Sequence, residues 1–288
     1  MGPLIGFTIV FVCVLGGYAL HGGPLPVLWQ PYEYIIIGGA AIGSMVAASG
    51  PKGFMKTVKA SLGAFKPNPY TKERYLALLA TLYLMINKAR AGGMRALEED
   101  IESPEASEMF SADPFMRKNK EAMLFLTDTM KVLMSGAIEP HYIDQSLDLD
   151  LDRYKKEITQ SSHELKTVAE ALPAFGIVAA VLGVIYTMGY IGGEASQVGA
   201  GVAAALVGTL LGVLLGYGVA APLAQVVKDR ADSKLAYLNA IKMTILVWQQ
   251  KQDPMNCVEW GRRTIKPSIR PTFDELDNAC SEAKSRLR

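Results

Sequence analysis

Charge is absent from long parts of this chain. No Lys, Arg, Asp or Glu occurs in residues 1–32, between Glu170 and Glu194, or between Glu194 and Lys228. Each of the last two gaps exceeds the roughly 20 apolar residues that a membrane-spanning helix needs. Cysteine is scarce too. Cys13, Cys257 and Cys280 have no metal-ligand spacing and form no disulfide framework, which suits soluble parts facing a reducing cytoplasm. The histidines His21, His141 and His163 stand apart, so no zinc-type pair is present, and each reads as a surface or capping residue. No glycine loop ends in Lys-Ser or Lys-Thr, the phosphate cradle of nucleotide-driven proteins. Enzymatic catalysis has no supporting constellation and no cofactor is expected. A formal net charge of +1 argues neither for nucleic acid nor for acidic partners. The charge-free start also lacks the basic n-region of a signal peptide, so the first apolar run is expected to be retained.

What the chain does have is apolar runs in pairs. Pro173 to Pro222 reads as two such runs joined by a short polar turn, with one proline near the end of each run away from the turn. A hairpin entering and leaving a bilayer puts Pro173 and Pro222 at similar depth. Prolines in lipid are tolerated where neighbouring helices or water re-satisfy the freed backbone groups, so a matched pair points to a pivot or pathway. A first hairpin is predicted over 1–51, with helices near 3–20 and 33–49. Its second run is short for a span and places Glu33 at the interface. Trp29, Tyr32 and Tyr34 in its turn suit an interfacial belt. Neither turn, 21–32 nor 190–199, contains Lys or Arg, whereas Lys52, Lys56, Lys59, Lys66, Lys72 and Arg74 follow the first hairpin and Lys228, Arg230 and Lys234 the second. The positive-inside rule then puts both termini and residues 52–170 in the cytoplasm.

The predicted architecture is an all-α integral membrane protein. It has four spans, a large helical cytoplasmic insert between the second and third, and a cytoplasmic tail. Residues 52–70 read as an interfacial amphipathic helix and linker, with Phe54, Met55, Val58, Leu62 and Phe65 at helical spacing and lysines between them to meet anionic lipid. The helical domain spans 71–170, the second hairpin 171–227 (helices near 171–191 and 199–227), and C-terminal helices 228–288. Ser103-Pro104 and Asp113-Pro114 each read as a helix N-cap followed by proline at the first position.

None of the four runs has a titratable residue at its centre, although such groups usually mark ion pathways. In their place are small residues and hydroxyls. Ala200, Ala204, Gly208, Gly212, Gly216 and Ala220 recur every fourth position, and Gly176, Ala180, Gly183 and Thr187 share a face of the third span. Such rows let helix backbones approach closely. Thr187 and Thr209 are the hydroxyls best placed to touch water or an ion; the plain alternative is that both bond to their own helix backbone.

Long blocks of the chain resemble the stator subunits of the bacterial flagellar motor, in the MotA/TolQ/ExbB family. They are LPAFGIVAAVLGVI at 172–185, VGTLLGVLLGYGVAAPLA at 207–224, VEWGRRTI at 258–265, RPTFDEL at 270–276 and KARAGGMRALEEDIESPEASEMF at 88–110. The resemblance implies a homopentamer in the bacterial inner membrane, assembled around a pair of MotB chains whose single span brings the proton-accepting aspartate. It implies that Pro173 and Pro222 are the pivots, and that Arg90 and Glu98 contact the rotor switch protein FliG. Without it, Arg90 and Glu98 would read as a solvated helix surface.

In sodium-driven members of the family, threonines cluster beside the pathway. The corresponding positions here are Ala180, Gly208 and Thr209. One hydroxyl replaces little of a sodium hydration shell, so the implied coupling ion is the proton. The competing reading is an ExbB/TolQ-like scaffold that energises outer-membrane transport. The extra first hairpin and the Arg90–Glu98 block favour the stator.

Overall fold

In the computed structural model of the chain, residues 2–136, 140–192 and 194–286 are described. Gly193 of the expected second turn lies outside them. All regular structure among the described residues is helical. In chain order the elements are α1 (Gly2–Leu20), a 3-10 turn (Leu25–Leu28), α2 (Pro31–Gly63), α3 (Lys72–Gly92), a second 3-10 turn (Met94–Leu97), α4 (Glu98–Glu102), α5 (Glu108–Ser111), α6 (Pro114–Lys118), α7 (Lys120–Ser135), α8 (Pro140–Met188), α9 (Ala195–Val213), a π-helical stretch (Leu214–Ala220), α10 (Ala221–Gln249), α11 (Pro254–Arg263) and α12 (Phe273–Arg286). Among the described residues, four helical stretches are long and apolar enough to cross a membrane: Gly2–Leu20, Leu25–Gly63, His141–Met188 and Ala195–Gln249.

The chain forms two compact units, one of Met1–Pro67 with Ile158–Arg230, the other of Asn68–Glu157 with Ala231–Arg288. In the first, α2 bends at Gly50, whose φ of 69° is open to glycine at little cost, and Pro51 opens the next helical segment. Ile37, Ala41, Leu172, Ala179, Val207 and Leu211 form a buried cluster between α2, α8 and α9. Below it Ala64 and Leu165 meet Ala224 and Val227. The Arg230 guanidinium donates to the Ala64 and Lys66 carbonyls, which satisfies backbone acceptors left open where α2 ends. Thr57 donates its hydroxyl to Glu164 at 2.5 Å, tying the second half of α2 to α8. By contrast Ile177, Val181 and Ile185 of α8 stay exposed, an apolar surface that none of the described residues covers.

The second unit is built around α3, whose Tyr75, Leu78, Leu79, Leu82 and Met85 are almost fully buried. They pack with Tyr237, Ile241 and Ile245 of α10, Val258 of α11 and Leu276 of α12. Asp113 caps α6, accepting from the backbone N–H of Phe115 and Met116 at 3.1 and 2.9 Å, as its Asp-Pro pair predicts. The Ser103-Pro104 expectation is corrected: Ser103 ends α4, and it is Ser107 that caps α5, accepting from Phe110 N–H. The reason is tertiary. Ser107 donates to Asp100 at 2.6 Å, and Lys88 of α3 holds the same carboxylate at 2.6 Å. Lys242, only 6% exposed, bridges Asp144 and Asp148 of α8 at 2.8 and 2.5 Å.

Candidate functional site: the glycine-lined helix pair and the charged insert

α8 and α9 meet backbone to backbone. A Cβ on Gly176 would lie 2.9 Å from the Gly208 carbonyl oxygen, and one on Gly212 would lie 2.6 Å from the Leu172 carbonyl oxygen and 2.8 Å from Gly176 Cα. Gly183 faces Ala205, whose Cβ would be 2.9 Å from an added one. Between two surfaces that lipid solvates as well as protein does, such close packing is what makes association favourable. Gly176, Gly183 and Gly212 lie at these close approaches. Ala204 is half-buried on the same helix, one residue from the fully buried Ala205.

The register on α8 differs by one residue from the sequence reading. Ala179, completely buried, faces Gly208, while Ala180 is turned partly outward. One helical position is about 100° of rotation, so a row of mixed Gly and Ala cannot fix it. Thr187 is 1% exposed and donates its hydroxyl to the Gly183 carbonyl at 2.8 Å, packed against Gly201. That bond to its own helix backbone is the plain alternative raised for it. Thr209 is half-buried.

Pro173 sits within a continuous α8. Its ring lies against Gly216, where an added Cβ would be 3.0 Å from Pro173 Cδ. Gly216 belongs to the π-helical stretch that runs up to Ala221, the residue before Pro222. Pro222 has no N–H for the Gly218 carbonyl and its ring crowds that oxygen. Widening the preceding turn relieves both, and the Ala221 N–H bonds to Gly216 O in place of the usual partner one residue later.

Sequence reasoning put Glu33 at an interface; the structure buries it. Glu33 is 6% exposed, and a Cβ on Gly208 would stand 2.6 Å from its Oε2. The 3-10 turn before it lies against α9, and Leu28 packs on the Ile37–Leu211 cluster. The connection thus folds in and carries Glu33 with it. The only available signal was the first-turn position of an acid after Pro31, which reads equally well as a partner of the helix dipole.

In the second unit Arg90, in the last turn of α3, pairs with Asp253 Oδ1 at 2.8 Å, both side chains being mostly exposed. Asp253 also caps α11 through Met255 N–H. Glu98 opens α4, exposed, and lines a surface depression with Arg95 and Lys131. The C-terminal motifs are structural. Glu259 accepts from Arg262 and Arg263, Arg262 also donates to the Pro271 carbonyl, and Arg270 donates to Ile265 and Arg263. The Arg262 hydrogen bond holds the Glu259 carboxyl below its ordinary range. No cluster of metal-ligating side chains occurs among the described residues.

The chain belongs to the MotA/TolQ/ExbB proton channel family, whose pattern its residues 113–240 match, while residues 4–93 match the family described as Motility protein A N-terminal. Within it, the chain is similar to Motility protein A of Escherichia coli K12, 37% identical over 282 residues that cover 98% of this chain and 96% of that protein. Motility protein A of Salmonella typhimurium is 38% identical over 95% of this chain and 93% of its own length. Chemotaxis protein LafT of Vibrio parahaemolyticus is 33% identical over 98% and 99%. Among solved structures, the fold matches the MotAB structure of C. jejuni with a TM-score of 0.76 at 17% identity, covering 94% of this chain and 98% of that one. It also matches the Bacillus subtilis flagellar MotAB stator complex with a TM-score of 0.70 at 21% identity, covering 96% and 98%.

Proposed function

We propose that the chain is a flagellar motor stator subunit that works with a MotB partner, coupling proton flow across the bacterial inner membrane to torque on the rotor. The observation that carries this reading is the 37% identity to a motility protein A along 98% of the chain. The structure adds physical content. The α8/α9 pair offers close-packed glycines, two proline defects and an exposed apolar face on α8. Such a face suits neighbouring spans, those of MotB and of further copies in a homopentamer.

In this reading the four apolar stretches span the membrane with both termini cytoplasmic, as the Lys and Arg distribution directs. The lysine-bearing second half of α2 lies on anionic lipid. Pro173 and Pro222 are pivots, and Arg90 and Glu98 meet FliG. Ala180, Gly208 and Thr209 border the path that the MotB aspartate completes.

The test is complementation. The chain is expressed with its MotB partner in a motile bacterium lacking its own stator genes. Swimming restored only when both are present supports the assignment. A stable complex with MotB that never restores swimming contradicts it.

A further inference from the structure

Among the described residues, three side chains keep a buried polar atom without a hydrogen-bond partner: Glu33 Oε2, Asp113 Oδ2 and Tyr237 Oη. Only Glu33 belongs to the unit that holds the α8/α9 pair. A buried carboxyl oxygen with no donor is costly and persists where it serves a purpose. Its place is specific. Gly208 makes the room, since a Cβ there would lie 2.6 Å from Oε2 and 3.2 Å from the Glu33 carboxyl carbon, and Ala179 closes the other side, 3.2 Å from that Cβ position. Gly208 lies 13 residues into α9 and Ala179 nine before the end of α8. At 1.5 Å per residue those are roughly 20 and 14 Å from the helix ends. Glu33 itself is the third residue of α2, so its side chain reaches this contact from the start of that span. A carboxyl buried within a membrane unit is by default a functional group.

No other charge serves it. The stretches that supply its neighbours, residues 25–32 before it, 171–188 of α8 and 195–220, contain no Asp, Glu, Lys, Arg or His. With no counter-ion among the described residues around it, the ligand that fits this lone carboxylate is the smallest cation.

We propose that Glu33 is a proton-binding site of the membrane unit, a second carboxyl in the pathway contributed by this chain rather than by its partner. The step is a plain transfer. A lone pair of the Glu33 carboxylate takes a proton from hydronium, leaving water and a neutral acid, and the reverse returns it. Gly208, lacking a side chain, leaves the space that the Glu33 carboxyl occupies. This rests on the reading of the chain as an ion-driven stator subunit.

The experiment uses the full complex with MotB in phosphatidylethanolamine–phosphatidylglycerol vesicles and compares wild type, Glu33→Gln and Glu33→Asp. Infrared pH-difference spectra read the carbonyl band of protonated carboxyls, and a pH dye reads proton influx. Expected is a band that is lost in Glu33→Gln and displaced in Glu33→Asp, with influx lowered roughly tenfold or more by Gln and largely kept by Asp. An unchanged spectrum and influx in Glu33→Gln would overturn the inference. Should the Gln variant fail to assemble, Glu33→Asp decides: a displaced band supports the site and an unmoved one overturns it. Wild type that conducts no protons would contradict the stator reading instead, while its Glu33 band would still report proton binding.

Discussion

Pro173 and Gly216 touch: a Cβ on Gly216 would lie 3.0 Å from Pro173 Cδ and 2.8 Å from the Ala169 carbonyl oxygen. Two backbone defects therefore meet. Pro173 leaves the Ala169 carbonyl without its usual donor, and Gly216 presents a bare Cα to that oxygen. Gly216 lies in the widened turn that precedes Pro222. A defect in each helix, in contact, is a place where α8 and α9 can shift without breaking a regular ladder.

This contact makes Pro173→Ala a selective lesion. The variant should assemble with normal abundance, since no packing atom is added, yet turn slowly. Speed of a bead on a flagellar stub measures it, and full torque would remove the pivot role.

Gly212→Leu should behave in the opposite way. Its side chain would enter the Leu172 carbonyl and the Gly176 backbone, and backbone cannot give way as a flexible side chain does. Overpacking of this kind costs about 1–3 kcal/mol or more. Immunoblots of membranes should show little protein, while Gly199→Ala, with open space around it, should accumulate as wild type does.

Much of this surface was legible in the sequence, and some of it was not. The fourth-position row from Ala204 to Gly216 announced close helix contact, because only small residues permit it. Whether Ala179 or Ala180 faces α9 was not legible, since both are small and one step rotates the face. Glu33 was misplaced because an acid ahead of an apolar run looks interfacial. Its burial depends on the Leu25–Leu28 turn folding onto α9, a tertiary event with no local signature. The Ser107 cap was missed for a similar reason: Asp100 selects it from elsewhere in the chain.

Arg90 and Glu98 should prove expendable for stability. The Arg90–Asp253 pair is exposed on both sides, and such pairs contribute about 0–1 kcal/mol. Arg90→Glu with Glu98→Lys should leave the melting temperature and membrane insertion nearly unchanged and abolish most swimming. Unimpaired swarms on soft agar would contradict the assignment to the rotor face.

Lys242 differs, being nearly buried between Asp144 and Asp148. Lys242→Met keeps the packing of the stem and removes the charge. Because both aspartates remain mostly exposed to water, the loss should be about 1–2 kcal/mol, less than for a fully buried pair. Denaturant unfolding of the full chain in detergent measures it.

Acid stability should depend on Glu259. Its carboxyl is held below the ordinary 4.5 by the Arg262 hydrogen bond. The associated stability is fully present above that ordinary value and is lost as pH falls through the lowered one. Glu259→Gln should be less stable at neutral pH and lose less on acidification. An acid limb as steep as that of wild type would show that the pair contributes nothing.

The central claim is that proton flow through this subunit and its MotB partner turns the rotor. The direct measurement is rotation speed in complemented cells as external sodium is exchanged for potassium and the proton-motive force is then collapsed with a protonophore. Rotation should persist in potassium and stop with the protonophore. Rotation that stops on removing sodium, with the proton-motive force intact, would contradict it.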